Sequence, residues 1–300
     1  MNCFSETTFN MQLQDSTKNP IKKKSAAAMD RTSLSSFAKI KNISAASGLI
    51  FYQDNLYVIS DNSSYLTKFN VVTNETNHIK LIDKAAINIP KKIKPDFESL
   101  TFDGAKIHIY GSGSTINRQN QVTYDIETGA ISSLSLSQDY ERLKHLADLK
   151  DDEFNIEGVF FDKKYQYYCQ RGNKSENKNC IFRLDKVSED ITVFYYELPA
   201  IDKIKATFTD AIAVDHMVYF LASAEDSKST YKDGDIKGTI FGTIDLNTMN
   251  LTFNKIISTK NKFEGIALYK KDDKQLQFLI CEDKDTNVIE SEIFELTYFK

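Results

Sequence analysis

Short apolar segments separated by polar turns recur along this chain from about residue 33 onward. The segment at 263–269 begins Phe-Glu-Gly-Ile, and variants of it occur at four earlier places, about 50 to 60 residues apart. Each is followed by a turn, a second apolar segment, a polar cluster and two further apolar segments. Val, Ile, Thr, Tyr and Phe dominate these segments, which indicates strands. A period of this length is typical of propeller blades rather than of stacked helical repeats.

The pattern therefore predicts an all-β fold, a five-bladed β-propeller of four-stranded antiparallel blades. The fifth repeat stops at its third strand, near residues 292–299, whereas the segment 36–43 before the first repeat has the pattern of a fourth strand. An N-terminal strand that completes the last blade would close the ring and remove its open edges. We expect one propeller domain at 33–300 after a disordered tail at 1–32, with one helical insertion at 137–150.

Composition limits the possible partners and the cellular compartment. The net charge is −4 and the pI about 5.7, which argues against a nucleic-acid partner. No apolar run approaches the roughly 18 residues of a membrane span, and the N-terminal region lacks a secretory signal. We therefore expect a cytoplasmic monomer without a membrane partner. The lysine run at 22–24 is interpreted as a solvated linker, the alternative being a tether to nucleic acid or membrane.

The four cysteines contain no CxxC pair, so reduced thiols are expected. A disulfide between Cys169 and Cys180, which flank one predicted hairpin, is the alternative. The four histidines fall at unrelated points of the repeat, which argues against a zinc site.

The first positions of the five repeats suggest a metal site. In a propeller, the first strand of each blade lines the central channel, so these positions would form a ring. Buried carboxylates raise one another's pKa and need compensation, which a hard divalent cation could provide. Ca²⁺ takes 6–8 oxygen ligands, whereas Mg²⁺ demands a stricter octahedron and fits less well. The alternative is that the acids cap backbone amides or pair with lysines. The predicted ligands are Ser47, Glu98, Glu157, Asp210 and Glu264.

The polar clusters at the ends of the second strands should lie on the same face as this ring. Arginine is rare in the chain, and its forked donors suit a small anionic substrate or ligand. The alternative for Arg171 is pairing with a ring carboxylate. We assign Asp61, Arg171 and Glu282 to catalysis, with Asp61 or Glu282 as general base. We assign Ser112, Ser114, Arg118, Asn173 and Lys174 to binding of the anion.

The ring resembles that of the calcium-activated nucleotidase (apyrase) family, five-bladed propellers in which Ser, Glu, Glu, Ser and Glu surround a central Ca²⁺. The resemblance is spread over residues 45–285, is closest at 47–61 and 263–266, and places Asp210 where the family has its second Ser. The family's Asp-Asp-Arg-Thr-Gly stretch reads Ser-Asp-Asn-Ser-Ser at 60–64 here, and the chain has no Trp. The segments around Arg118 and Arg171 also look like those of small bacterial propellers and phytase-like esterase domains.

Three functions fit these residues. The first is a metal-dependent hydrolase of phosphate esters or nucleotides, in which the cation polarises a phosphoryl oxygen or activates water. The second is a non-catalytic binding module with a structural Ca²⁺ that recognises a small anion, a glycan or a protein. The third is a lactonase-like or other carbohydrate-active hydrolase, which needs two acids free of the metal. No histidine falls in the predicted polar clusters at the ends of the second strands, so a Ser-His-Asp triad is not expected.

Overall fold

The computed structural model describes residues 31–83, 85–172, 178–226, 234–284 and 289–300. The predicted tail, apart from residues 31 and 32, lies outside the described residues. So do two of the predicted anion-binding residues, Asn173 and Lys174. The described chain forms five small antiparallel sheets of four strands each, arranged as a five-bladed β-propeller, as predicted.

The strands run in chain order through the first four blades, and strand β1 (Thr32–Lys41) precedes them. The first blade contains β2 (Ala46–Tyr52), β3 (Asn55–Ser60), β4 (Tyr65–Asn70) and β5 (Thr76–Lys80). The second contains β6 (Phe97–Phe102), β7 (Lys106–Gly111), β8 (Asn120–Asp125) and β9 (Ile131–Ser135). The third contains β10 (Ile156–Phe161), β11 (Tyr165–Gln170), β12 (Cys180–Asp185) and β13 (Ile191–Tyr195). After a hairpin of β14 (Ala200–Ile201) and β15 (Ile204–Lys205), the fourth contains β16 (Thr207–Val214), β17 (Met217–Asp226), β18 (Asp235–Asp245) and β19 (Leu251–Ser258).

The fifth blade combines both ends of the described chain. Its strands β20 (Lys262–Lys271), β21 (Gln275–Asp283) and β22 (Glu290–Phe299) are consecutive, and β1 is the fourth. The β1–β22 pairing is antiparallel, from Thr32 opposite Tyr298 to Lys41 opposite Glu290. This arrangement confirms the predicted closure of the ring by an N-terminal strand.

Every first strand carries a β-bulge near its start. The register shifts lie between Ala46 and Gly48, Phe97 and Ser99, Ile156 and Gly158, Phe208 and Asp210, and Phe263 and Gly265. A bulge leaves one residue outside the ladder and re-aims its side chain. The five bulged residues are Ser47, Glu98, Glu157, Thr209 and Glu264. The predicted alignment was therefore wrong by one residue in the fourth blade, because Thr209, and not Asp210, occupies the bulge.

Apolar side chains fill the spaces between neighbouring blades. Phe160 and Tyr167 of the third blade pack in one cluster with Phe208 and Phe220 of the fourth. The first strands of consecutive blades contact one another all the way around, including β20 with β2. This packing brings the five bulges together around the centre of the propeller.

The predicted helical insertion is present as α1 (Ser137–Ala147), which ends at Asp148 in a left-handed conformation. Leu143 is buried against the second and third blades, whereas Leu146 is exposed. The described cysteines Cys169, Cys180 and Cys281 are buried free thiols, so no disulfide joins Cys169 to Cys180. The described residues contain no helix long and apolar enough to cross a membrane.

Candidate functional site

The two hydroxyl residues among the five bulged residues make the same contact. Ser47 Oγ donates a hydrogen bond to the carbonyl oxygen of Phe97, at 2.5 Å. Thr209 Oγ1 donates one to the carbonyl oxygen of Phe263, at 2.8 Å. In both cases the acceptor belongs to the next blade and comes directly before its bulged glutamate. The hydroxyls thus fix the backbone from which Glu98 and Glu264 project.

Asp210 joins two blades from the position after the bulge. Its Oδ1 accepts a hydrogen bond from the Ala211 amide at 2.8 Å, and its Oδ2 accepts one from the Ile266 amide at 2.9 Å. Ser99 occupies the same position in the second blade and accepts a bond from the Val159 amide. Burial raises the pKa of Asp210 well above its ordinary value, although these amides lower it. Asp210 therefore caps backbone amides, which is the role given above as the alternative to metal binding for the ring acids.

Two of the ring glutamates are paired with cations. Glu157 accepts hydrogen bonds from Arg171 at 3.1 Å and from Asn155 at 2.5 Å. Glu264 lies 2.8 Å from Lys262. All of these acids are buried, and burial raises the pKa of both glutamates against the attraction of their partners.

Glu98 differs from the other two glutamates. Its residue surface is only 9% exposed, and within the described chain no group donates it a hydrogen bond. Burial and then the negative charges of Asp96, Glu157, Asp61 and Glu264 raise the pKa of Glu98 well above its ordinary value. An unpaired buried carboxyl is costly unless something compensates it.

Glu98 belongs to a compact acidic group. One carboxylate oxygen from each of Asp61, Asp96 and Glu98 lies within 4.8 Å of the others, and this is the group of potential metal ligands that the described residues form. Glu157 and Glu264 are outside it. Asp96 was not predicted. It precedes the bulged Glu98 by two residues, has a left-handed backbone (φ 53°), and is buried.

Two cationic side chains face this group. Lys94 contacts Asp61 and lies 2.7 Å from Asp96. Arg118 donates hydrogen bonds to Asp96 at 2.8 Å, to Ser114 at 2.9 Å and to the carbonyl of Lys91 at 2.8 Å. Burial acts against ionisation of Asp96 and Lys94. Nevertheless, the pKa of Asp96 is lowered by the two cations, and that of Lys94 is raised by the carboxylates.

The remaining predicted residues are held by partners at the same end of the strands. Ser112 donates a hydrogen bond to Asp96 at 2.5 Å. Arg171 pairs with Glu157 at 3.1 Å and with Glu225 at 2.8 Å. Pairing with a ring carboxylate is the role given above as the alternative to anion binding for this arginine. Glu282 accepts a hydrogen bond from Asn261 at 2.6 Å and lies 3.6 Å from Lys284. Residues of this network that were not predicted are Lys94, Asp96, Glu225, Lys262 and Asp283.

Four buried polar atoms in this network have no hydrogen-bond partner within the described residues: Asp61 Oδ1, Arg118 Nε, Asn155 Oδ1 and Arg171 Nε. Buried polar groups are rarely left unpaired without a functional or solvent explanation. Two of these atoms, Asp61 Oδ1 and Arg118 Nε, lie in or next to the Asp61–Asp96–Glu98 group, and Glu98 of this group has no hydrogen-bond donor in the described chain. The three carboxylates can hold a cation, and the unpaired Nε–H of Arg118 can donate to an anion beside it.

The fold and the site define a five-bladed β-propeller with a network of acids and bases, most of them buried, where the first strands of its blades begin. The chain belongs to a family described as a family of unknown function, DUF6929, whose profile matches residues 42–298. A search of curated proteins returned no significant match.

Solved structures of low sequence identity share the architecture. The major allergen Mala s 1 of Malassezia sympodialis is 9% identical and aligns with a TM-score of 0.53, over 90% of this chain and 96% of that one. The PQQ-bound aldose sugar dehydrogenase of Streptomyces coelicolor is 10% identical, with a TM-score of 0.52 and coverage of 90% and 98%. These similarities support the fold alone.

Proposed function

We propose that this protein binds a divalent cation at the mouth of the central channel through Asp61, Asp96 and Glu98, and binds a small anionic ligand beside the cation. The observation that carries the proposal is Glu98, a buried carboxyl without a hydrogen-bond partner in the described chain, next to two other carboxylates. A cation there would relieve the repulsion that raises the pKa of Glu98.

Ca²⁺ fits this group better than Mg²⁺. Its ligand number is flexible, and it gives up its water more readily, whereas Mg²⁺ needs a regular octahedron and keeps several waters. Asp96 is already fixed by hydrogen bonds from Arg118 and Ser112, so its oxygens have little freedom to form an octahedron. The bound cation therefore has to tolerate an irregular coordination geometry, as Ca²⁺ does.

Calorimetric titration of chelator-treated protein with Ca²⁺ and Mg²⁺ tests the proposal. We expect Ca²⁺ to bind more tightly and to raise the melting temperature, since a ligand at 100 times its Kd stabilises by about 2.7 kcal/mol. Glu98→Gln removes one charged ligand and should abolish the shift. The matched control is Glu127→Gln, at an exposed turn, which should keep it. A folded wild-type protein that binds neither ion would refute the proposal.

A metal-dependent hydrolase is the second candidate. It is favoured by Asp61, whose buried Oδ1 has no hydrogen-bond partner in the described chain and could take a proton from water. Burial raises the pKa of Asp61, although Lys94 lowers it. Binding without turnover is supported better, because the terminal nitrogens of Arg118 and Arg171 already bond to protein oxygens and cannot clamp a reacting phosphoryl group, whereas a small anion needs only an unpaired Nε–H. Chelator-sensitive release of phosphate from nucleotides, phytate or an aryl phosphate would favour the hydrolase, and its absence would exclude this version.

A further inference from the structure

We propose that Lys94 sets the affinity of the cation site and its selectivity for divalent ions, because its ammonium group competes with the ion for the same carboxylates. This inference rests on the proposed function. Lys94 Nζ contacts Asp61 Oδ2 and lies 2.7 Å from Asp96 Oδ1. These two carboxylates, with Glu98, form the proposed ligand group. An ion bound by Asp61 and Asp96 would occupy the space next to the ammonium group.

The charges at this site explain why a divalent ion would win the competition. The three carboxylates of the group face two cationic groups, Lys94 and Arg118. Lys94 pairs with Asp61 and Asp96 and attracts Glu98 only from a longer distance, and no ion pair reaches Glu98 within the described residues. If a divalent ion takes the place of the Lys94 ammonium group, the two positive charges of the ion and that of Arg118 balance three carboxylates. A monovalent ion in the same place would leave the imbalance unchanged. The network therefore favours divalent over monovalent ions.

The fifth blade provides an internal comparison. Lys262 is as deeply buried as Lys94 and lies 2.8 Å from Glu264 and 3.2 Å from Asp283. It thus pairs directly with the bulged glutamate of its own blade. Lys94 instead pairs with Asp61 and Asp96, so the bulged Glu98 of its blade remains available. A buried lysine therefore pairs with the bulged glutamate in the fifth blade, whereas in the second blade the buried lysine pairs with two other carboxylates.

The local structure allows Lys94 to withdraw. Its amide and that of Ile93 donate hydrogen bonds to the carbonyl of Pro90, and its carbonyl accepts one from Asn117. These bonds hold the backbone of the connection between β5 and β6. The ammonium group is carried on a flexible four-carbon stem, so it can leave the carboxylates while the backbone stays in place.

Substitution at Lys94 tests the competition directly. Lys94→Met removes the competing charge but keeps the apolar stem, and we expect Ca²⁺ affinity to rise by about tenfold or more in calorimetric titration. Lys94→Arg keeps the charge on a rigid fork that pairs firmly with carboxylates, so this variant should bind Ca²⁺ no more tightly than wild type. Both variants are titrated with Na⁺ and Ca²⁺ after chelator treatment.

The outcomes separate this inference from the proposed function. If Lys94→Met binds Ca²⁺ no more tightly than wild type while Glu98→Gln still abolishes binding, the role of Lys94 is refuted and the cation site stands. If neither wild type nor Lys94→Met binds Ca²⁺, both are refuted.

Labelling of wild-type protein gives a second measurement that does not depend on the folding of a variant. An amine-reactive reagent, read by mass spectrometry, should modify Lys94 slowly in chelator because the residue is 8% exposed. We expect Ca²⁺ to increase labelling of Lys94 about tenfold, whereas Lys262, at 7% exposure, should not change. Equal labelling of Lys94 with and without Ca²⁺ would refute the competition.

Discussion

Thr209 Oγ1 donates a hydrogen bond of 2.8 Å to the carbonyl oxygen of Phe263 across the boundary between the fourth and fifth blades. Ser47 makes the equivalent bond to Phe97 between the first and second blades. Each bond fixes the residue before a bulged glutamate, so these hydroxyls determine where Glu98 and Glu264 stand.

Thr209→Val should lower the free energy of unfolding by about 1 kcal/mol, because an isosteric methyl group leaves a buried carbonyl with a weaker partner. The loss stays at this level because Ser223 Oγ also reaches Phe263 O, at 3.3 Å. Urea unfolding measures it. Thr192→Val, on an exposed strand position, is the control and should change little. Equal unfolding midpoints for both variants would show that the bond contributes nothing.

Gly265→Ala should destabilise the propeller by about 1–3 kcal/mol through overpacking. A Cβ at Gly265 would lie 2.7 Å from Leu49 Cδ2 and 2.8 Å from both Cys281 Sγ and Gly48 Cα. Gly158→Ala is a milder change for comparison, because a Cβ at Gly158 would have its nearest neighbours at 3.1 Å. Thermal unfolding should rank Gly265→Ala as the more damaging change, and the reverse order would contradict the packing argument.

Arg171→Met should destabilise the protein by about 3–5 kcal/mol, because it leaves Glu157 and Glu225 buried beside each other without their shared cation. Chemical denaturation of the single and double variants measures this. Adding Glu157→Gln to Arg171→Met should recover part of the loss, since it removes the charge of Glu157, whereas Glu225 keeps Lys262 at 3.8 Å. Additive losses in the double variant would show that the two side chains are not coupled.

Asp103 should make stability depend on pH below neutrality. Burial opposes the ionisation of Asp103, but hydrogen bonds from His108 and from the amides of Lys106 and Ala105 together outweigh it and lower the pKa to about 2. A lowered folded-state pKa contributes stability above the unfolded-state value of about 4, and this stability is lost as the pH falls towards 2.

Melting curves of wild type and Asp103→Asn test this dependence. The variant should melt at a lower temperature at pH 7, and the difference should shrink between about pH 4 and pH 2. Asp273→Asn, at an exposed turn, is the control. A difference that stays constant down to pH 2 would contradict the assignment to Asp103.

The blade pattern could be predicted because each strand carries its own apolar alternation and each turn its own polar residues. The closure by β1 was predictable for the same reason, since residues 36–43 had the pattern of the strand missing from the fifth repeat. The bulge in the fourth blade was not predictable. Thr209 and Asp210 are adjacent polar residues, and only the strand pairing shows which of them lies outside the ladder.

The acidic group was predictable only in part. Glu98 and Asp61 were identified from their places in the repeat, but Lys94 and Asp96 lie in the connection before the second blade, and the connections between blades differ in length and sequence. Their roles depend on the path of that connection, which brings Lys94 against Asp61 of the preceding blade. Binding of a cation by these side chains is a prediction.

The pairing of β1 with β22 also has a consequence for biosynthesis. β1 leaves the ribosome before any of the first four blades, yet its partner β22 is made after all of them. Until β22 has been made, the hydrogen-bonding groups of β1 are exposed to water and to other proteins, and the fifth blade stays incomplete. Nascent chains arrested before residue 290 should therefore expose β1 to proteases and chaperones, and synthesis of β22 should protect it.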